Sequence, residues 1–504
     1  MKLKNCDHYG KLATLVPFFF YTLLVMLFCA GSSPVIDRMF TDSSVFFAMG
    51  RGMRAGKVVY RDLFDHKGWY LYFINYLGAL ISESTSIGIW FVEVCFAFAD
   101  VLLCFKIARV YFADNDAKCI CVSQLMLLLI VNYFTYEGGN TVEFYCLTFQ
   151  FVSVLLFVLY ERSGVVPHPP FYMLVHGLCV GISFGLRGNM VLAWGALAAV
   201  LIIRLFICHE YKNMIDNILY GLSGIIIALL PLFLYGVLTE SLLDMYEQSF
   251  RFNLLYGSST IIQNIIPAVF SRNGILTSIA CLASCIAVKK SKKVSSTGQL
   301  VFFLAWVLSI LSFSISGYTF PHYYEYVIPL TIPFAMFMTE IISGIIEQHR
   351  ISRRAVCVII AALTICCNMR LPIKLFFDSE SNRYAKTVET VTDLYRELYR
   401  DDKKVIVKGN NAIFYNKMDV IPSNKYFYLP EISYNDYPYA VDSQIESILS
   451  EENDVIIVPF PNKEYHDERI IYDDERDDQI NALLDNKYRT VYDNGLVRMW
   501  IKRC

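Results

Sequence analysis

The densest group of side chains able to do chemistry lies between the first two long apolar stretches of the chain. Asp37 and Asp42 stand near the start of this segment, and Asp65, His66 and Lys67 stand near its end. A carboxylate can take a proton from an attacking hydroxyl, and a lysine can hold an anionic group as a point charge. The same residues also fit a helix cap at Asp42 and a solvated turn at residues 65–67. Spacing alone therefore leaves both interpretations open.

Four more polar residues stand near the ends of later apolar stretches. Asn140 and Glu143 follow a Gly-Gly turn, Arg187 comes directly after an apolar stretch, and His322 lies among tyrosines. Basic side chains at helix ends commonly extend to the membrane interface, and histidine suits an aromatic belt there. Each residue thus has a structural interpretation beside a functional one.

The composition requires a membrane to cover much of this chain. Of its 504 residues, 55% are hydrophobic and only 18% are charged, which is too little polar surface for a soluble protein of this size. The net charge of -2 gives no support for nucleic-acid binding. We predict an all-α bundle of about eleven transmembrane helices, each near the length that crosses the hydrocarbon core. The predicted spans are 12–31, 87–108, 119–136, 142–160, 171–186, 190–208, 215–238, 275–288, 300–316, 326–346 and 355–369.

Basic residues in short loops predict the orientation of these helices. With the N-terminus in the cytoplasm, the two densest clusters, Lys289–Lys293 and Arg350–Arg354, both fall inside, as the positive-inside rule requires. The apolar stretch Trp69–Ile81 is too short for a comfortable span, so we expect an interfacial or re-entrant helix on the outer face. The segment 32–68 and the C-terminal end then lie outside the cell.

The composition changes to a charged, net acidic chain after Pro372. We therefore predict a transmembrane domain over residues 1–374 and a small soluble α/β domain over residues 375–504. Valine- and isoleucine-rich segments predict strands in this second domain. The predicted strands are Val405–Lys408, Val455–Val458 and Val497–Ile501, and the predicted helices are Asp442–Leu449 and Asp477–Leu484.

The first outer segment resembles the corresponding loop of bacterial GT-C membrane glycosyltransferases, the relatives of protein O-mannosyltransferases and of the lipid A aminoarabinose transferase. The resemblance begins with Asp42-Ser-Ser-Val-Phe and continues in Tyr60-x-Asp-x-Phe-Asp-His-Lys-Gly68. The pieces Gly138–Glu143, Leu186–Met190 and Pro321–Tyr323 extend it over nearly the full length.

Three positions depart from the family pattern. Trp69-Tyr70 stands where many relatives have prolines, and Val142 and Gly188 replace an acidic residue and a proline of close relatives. No candidate catalytic group is removed, so these departures bear on the choice of substrate.

The resemblance implies transfer of a sugar from a polyprenyl-phosphate donor to a cell-envelope glycan, lipid or protein on the outer face. It implies that Asp42 is the catalytic base, with Asp37 as the second choice, and direct displacement would invert the anomeric centre. The departing phosphate needs positive charge and hydrogen-bond donors rather than a strong acid. Lys67, Arg187 and His322 are the residues implied for that role. Glu143 and Asn140 are candidates for contact with the acceptor or with a divalent cation, the one cofactor the sequence leaves open.

Two other functions deal with lipid-linked saccharides. A transporter or flippase predicts inverted repeats and polar residues at mid-membrane depth, whereas the polar residues of this chain gather toward one face and no repeat is visible. A polysaccharide polymerase has a similar composition, and only the match in the first outer segment argues against it.

Overall fold

A computed structural model describes residues 8–39, 41–113, 115–132, 134–256, 261–291, 295–315, 320–349, 352–368, 379–399, 403–459 and 474–503. These residues are mostly helical. They belong to two compact units. The first unit comprises Met1–Ile36, Trp90–Pro231 and Ser259–Leu371, and the second unit comprises Asp37–Ile89, Leu232–Ser258 and Pro372–Cys504.

Long apolar helices make up most of the described chain. Six are long and apolar enough to cross a membrane, and a pair bent by 69° between Phe270 and Arg272 adds a seventh if it is one broken span. The protein is therefore a multi-pass membrane protein. The other four predicted spans correspond to helical segments of fewer than 18 residues in the described chain, which are Val16–Cys29, Asp116–Ile130, Pro170–Leu186 and Val358–Cys367. The first unit contains the helices His8–Cys29, Asp116–Ile130, Val142–Ser163, Pro170–Leu186, Leu192–Ile207, Ile261–Phe270, Arg272–Ser291, Ser296–Ile315, Ile332–His349 and Arg353–Asn368, together with most of Ile87–Phe112 and Tyr211–Leu238 and the 3₁₀ helices Gly188–Val191 and Pro321–Thr331.

Two helices of the second unit pack closely against each other. They are Thr41–Arg54 and Trp69–Ile81, and a Cβ added at Gly50 would lie 2.4 Å from the backbone carbonyl carbon of Asn75. The first helix begins at Thr41, so Asp42 lies in its first turn and not at the N-cap position that its spacing also fitted. Trp69–Ile81 is a 13-residue helix, about 20 Å long at the usual rise, which is shorter than the hydrocarbon core.

The C-terminal region forms the predicted α/β fold, with four strands in its sheet where three were predicted. The strands β1 (Val405–Val407), β2 (Val455–Pro459), β3 (Tyr488–Asp493) and β4 (Val497–Lys502) are ordered β1-β2-β4-β3, and only β1 and β2 are parallel. Side chains such as Ile456, Ile445 and Trp500 form its buried core. The helices Ser379–Leu398, Ile413–Lys417, Tyr439–Leu449 and Asp474–Lys487 complete the region, and Leu242–Tyr246, the π-helix Glu247–Arg251 and Phe252–Tyr256 also belong to the second unit.

The segment before Gly68 contacts the C-terminal region directly. The Phe64 amide donates to the Lys425 carbonyl at 2.8 Å, and Arg51 donates to the Tyr415 carbonyl at 2.9 Å. Polar loops cannot meet through the hydrocarbon core. The first loop and the C-terminal region therefore lie on the same side of the membrane, which requires an even number of intervening spans and agrees with the ten predicted between them.

Candidate active site

The side chains of Arg187, Glu143 and Tyr323 form a polar cluster in the first unit. The guanidinium donates to Glu143 Oε1 at 3.0 Å and to the Tyr323 hydroxyl at 2.7 Å, and its carbon lies 4.4 Å from the centre of the Tyr323 ring. Glu143 is 2% exposed and Arg187 is 12% exposed. An arginine held by a buried carboxylate and an aromatic ring has a fixed guanidinium plane, which suits recognition of phosphate.

Each member of this cluster stands at the end of a different helix. Glu143 lies in the first turn of Val142–Ser163, after Thr141, whose side chain caps that helix by accepting from the Phe144 amide; a negative charge is favourable there. Arg187 is the extended residue that ends Pro170–Leu186. Tyr323 is in the first turn of the 3₁₀ helix Pro321–Thr331.

His322 joins this cluster to the turn before Asn140. Its Nδ1 lies 2.7 Å from Glu137 Oε2, and its ring stacks on Phe320 and meets the edge of Tyr323, with centroids 5.6 Å and 4.9 Å away. His322 thus has both aromatic neighbours and a carboxylate partner. The structure therefore brings Arg187, His322 and Glu143 together.

The Gly138-Gly139-Asn140 turn is built around the buried carboxylate of Glu93. That carboxylate accepts from the Asn140 amide at 2.6 Å, from the Tyr136 hydroxyl at 3.3 Å and from Ser32. A Cβ on Gly139 would lie 2.2 Å from Glu93 Oε1. Asn140 is 1% exposed and its side-chain oxygen accepts from Tyr145, a contact that helps to hold the turn.

A cavity of about 240 Å³ lies within the first unit and is lined mainly by aliphatic and aromatic side chains. Two elements that carry the polar cluster also line this cavity, and so does the helix that follows Arg187 in the chain. Gln150 is seven residues after Glu143, which is two helical turns along the same face. Tyr326 is three residues after Tyr323, one turn of a 3₁₀ helix and about 6 Å along it. Ala193 and Trp194 lie on the next helix, Leu192–Ile207, so the polar cluster and the apolar cavity are neighbours.

The second unit holds the remaining predicted residues. The Lys67 ammonium lies 2.5 Å from His66 Nε2, and the Lys67 carbonyl accepts from the Tyr60 hydroxyl at 2.9 Å. Asp37 forms an ion pair with Lys417 at 2.5 Å. Asp42 is exposed, and no hydrogen bond or ion pair of Asp42 is found within the described ranges. Of the two carboxylates predicted as a base, Asp42 is thus the one with no such partner in the described chain.

The divalent cation that the sequence leaves open and the aspartates of the first outer segment can be compared with the structure. Among the residues that the structure describes, no group of three or more histidine, cysteine, aspartate or glutamate side chains is placed to hold a metal ion. Asp62 pairs with Arg61 at 2.9 Å and accepts from the Val58 amide at 2.8 Å. Asp65 is instead buried at 1% exposure and accepts from Tyr428.

Two residues of the site, Tyr323 and Glu137, were not singled out by sequence reasoning. Tyr323 contacts Arg187, which is 136 residues away in the sequence. Glu137 contacts His322, which is 185 residues away. Local sequence patterns do not report contacts of this kind. The only sequence signal for Tyr323 is its place directly after His322, within the Pro321–Tyr323 piece that carries the resemblance.

No protein-family model and no curated protein matches this chain. Among solved structures it is similar to ArnT from Cupriavidus metallidurans. The apo form gives a TM-score of 0.63 at 13% identity over 97% of this chain and 98% of that one. The form bound to undecaprenyl phosphate gives 0.61 at 12% identity over 98% of both chains. The Archaeoglobus fulgidus oligosaccharyltransferase, in complex with Zn and sulfate, gives 0.47 at 11% identity over 88% of this chain and 68% of that one. The likeness to ArnT confirms the predicted GT-C fold.

Proposed function

We propose that this protein is an integral-membrane glycosyltransferase that moves a sugar from a polyprenyl-phosphate donor to an acceptor on the outer face of the membrane. The observation that carries the proposal is the position of the Arg187 cluster beside the apolar cavity of the first unit. An anionic head group needs a desolvated cation, and a polyprenyl chain needs an apolar wall. The two occur side by side in the first unit, where Val142–Ser163 and Pro321–Thr331 contribute to both, and a structure of the similar protein ArnT is bound to undecaprenyl phosphate.

In the proposed complex, Arg187 donates to oxygens of the donor phosphate while Glu143 and Tyr323 keep its guanidinium plane in place. His322 contributes a further donor or charge to the same phosphate. Ligand pockets for drug-sized molecules span about 300–1,000 Å³, so a cavity of about 240 Å³ accommodates a short part of the prenyl chain, next to the phosphate.

The reaction requires one base and a stabilised leaving group. The acceptor hydroxyl attacks the anomeric carbon and gives its proton to the Asp42 carboxylate, while the bond from that carbon to the phosphate oxygen breaks. The electron pair leaves on polyprenyl phosphate, which the cations stabilise. We assign Asp42 as base and Lys67 as a second phosphate ligand because their segments resemble the first loop of GT-C enzymes, and a single displacement inverts the anomeric centre.

The acceptor and the orientation belong to the same proposal. We place the first outer segment and the C-terminal region outside the cell and the N-terminus in the cytoplasm, on the charge pattern of the loops. The acceptor is a component of the cell envelope, and Glu143 or Asn140 is a candidate for contact with it or with a divalent cation.

A transfer assay tests the proposal with a matched pair of variants. Purified protein in liposomes receives a panel of labelled polyprenyl-phosphate sugars and an extract of envelope acceptors. Asp42→Asn should lower transfer by at least about 100-fold, the lower range for general-base catalysis. Asp37→Asn removes a carboxylate already paired with Lys417 and should leave most of the activity.

The outcomes separate the alternatives. Undiminished transfer by Asp42→Asn removes Asp42 from its role. If the wild type cleaves no donor but moves intact lipid-linked sugar across the bilayer, the protein is a flippase and the proposal is wrong.

A further inference from the structure

The segment Phe64–Lys67 of the second unit is held from two sides. On one side the Phe64 amide donates to the Lys425 carbonyl at 2.8 Å, and its ring lies 4.8 Å from that of Tyr426. On the other side Asn253 donates to the His66 carbonyl at 2.8 Å. Backbone and side-chain contacts together fix this segment far more than a solvated turn would be fixed.

A chain of polar contacts leads from the C-terminal region to Lys67. The Tyr428 hydroxyl donates to Asp65 Oδ1 at 2.6 Å, and the same oxygen accepts from the His66 amide at 2.7 Å and lies 3.4 Å from His66 Nδ1. His66 Nε2 lies 2.5 Å from the Lys67 ammonium. An ammonium group has donors only, so Nε2 accepts from it and the ring proton is on Nδ1, facing Asp65.

The buried carboxylate depends on these donors. Asp65 is 1% exposed, and burial raises the pKa of Asp65 above its usual value, while Lys67, Tyr428 and the His66 amide oppose that rise. Loss of the Tyr428 hydroxyl would leave a buried acceptor short of a partner, which favours a shift of the loop toward water.

We propose that Tyr428 is a positioning residue: through Asp65 and His66 it sets the place and orientation of the Lys67 ammonium for binding the donor phosphate. The inference rests on the role proposed for Lys67. It gives the C-terminal region a part in donor binding, because the Tyr428 segment is joined to that region's core by Leu429, whose amide donates to the Gly409 carbonyl at 2.9 Å.

Tyr428→Phe tests this link, and Tyr426→Phe is its matched control. Both changes remove one tyrosine hydroxyl from the same short segment. The Tyr426 hydroxyl pairs with that of Tyr437 at 2.9 Å. We expect Tyr428→Phe to weaken binding of undecaprenyl phosphate about tenfold, as for loss of one charge-assisted hydrogen bond, and Tyr426→Phe to leave it within about twofold. In the transfer assay, Tyr428→Phe should raise KM for the donor with kcat unchanged.

A double-mutant cycle with Lys67→Ala identifies the route of the effect. If Tyr428 acts through Lys67, Tyr428→Phe has no further effect in the Lys67→Ala background. A full effect in that background, or equal effects of Tyr428→Phe and Tyr426→Phe, overturns the inference. Unchanged binding by Lys67→Ala alone refutes the proposed role of Lys67 itself, so failure of the inference and failure of that role give different results.

Discussion

Replacement of Arg187 by alanine removes the central cation of the proposed donor site. The change deletes one hydrogen bond to Glu143, one to Tyr323 and the stacking on the tyrosine ring. It leaves the apolar cavity in place, since Arg187 does not line it. The contributions of the phosphate and of the prenyl chain to lipid binding can therefore be measured separately.

The expected loss follows from the strength of charged hydrogen bonds. A hydrogen bond to a charged group contributes about 1.5–3 kcal/mol, so undecaprenyl phosphate should bind roughly 10- to 150-fold more weakly to Arg187→Ala. Glu143, at 2% exposure, also loses its cation, and breaking a buried pair costs about 3–5 kcal/mol of stability. The double variant Arg187→Ala/Glu143→Gln removes that uncompensated charge, so it should recover stability but not binding.

The assay measures binding of undecaprenyl phosphate and of the uncharged polyprenol to protein in nanodiscs, with thermal unfolding of each variant in parallel. Arg204→Ala is the matched control. Arg204 pairs with Glu161 at 3.2 Å and its guanidinium carbon lies 5.4 Å from the Tyr160 ring centre, so it has the same kinds of partners as Arg187. It should show a comparable loss of stability with unchanged binding.

Two results would refute the reasoning. If Arg187→Ala and Arg204→Ala weaken phosphate binding equally, the loss comes from general destabilisation. If Arg187→Ala weakens polyprenol binding as much as phosphate binding, Arg187 does not recognise the charge of the ligand.

Three further predictions test the turn, the buried carboxylate and the orientation. Gly139 and Gly56 share a φ of 84°, but an added Cβ at Gly139 would lie 2.2 Å from a carboxylate oxygen, whereas nothing lies within 4 Å of one at Gly56. Gly56→Ala should therefore lower the free energy of unfolding by about 1–2 kcal/mol, and Gly139→Ala should lower it clearly more. Equal losses of melting temperature in the two variants would contradict this. Because burial raises the pKa of Asp65, the folded state binds an extra proton between the usual aspartate pKa near 3.9 and the raised value. Stability of the wild type should therefore fall as pH rises through that window, and a melting temperature of Asp65→Asn with the same pH slope would argue against it. In intact cells, a membrane-impermeant maleimide should label Ala55→Cys and spare the native Cys208, which is exposed; the reverse pattern would invert the topology.

The long helices follow from the sequence because apolar stretches must satisfy their backbone groups internally in a membrane. The stretch predicted from Val142 begins at that residue, and the one predicted to end at Leu238 ends there. The prediction from Tyr326 differs, because a 3₁₀ helix occupies Pro321–Thr331 before the α-helix begins. Pro329, inside that segment, lacks the amide that an α-helix would need.

The strand Tyr488–Asp493 was not predicted from the sequence, although a signal for it exists. Asn494-Gly495 lies between this strand and Val497–Lys502, and Gly495 has a φ of 77°. An Asn-Gly pair between two β-prone segments favours a hairpin, so attention to that pair would have found the strand.

The contacts of the candidate site could not be predicted from local sequence. Arg187 meets Glu143 and Tyr323 across 44 and 136 residues, and such pairings depend on how helices pack. The sequence around Asp65 indicates a polar turn. In the structure Asp65 is buried and accepts a hydrogen bond from Tyr428, which is 363 residues away. Local pattern identified the residue types and the helix ends, while tertiary packing decided which of them meet.

Imaging of undecaprenyl phosphate in the purified protein by electron cryomicroscopy tests the proposed binding mode most directly. We predict phosphate density within hydrogen-bond distance of the Arg187 guanidinium and prenyl density running into the cavity between Trp194 and Tyr326. An empty cavity, with the lipid bound elsewhere and Arg187 held only by Glu143 and Tyr323, would contradict the account.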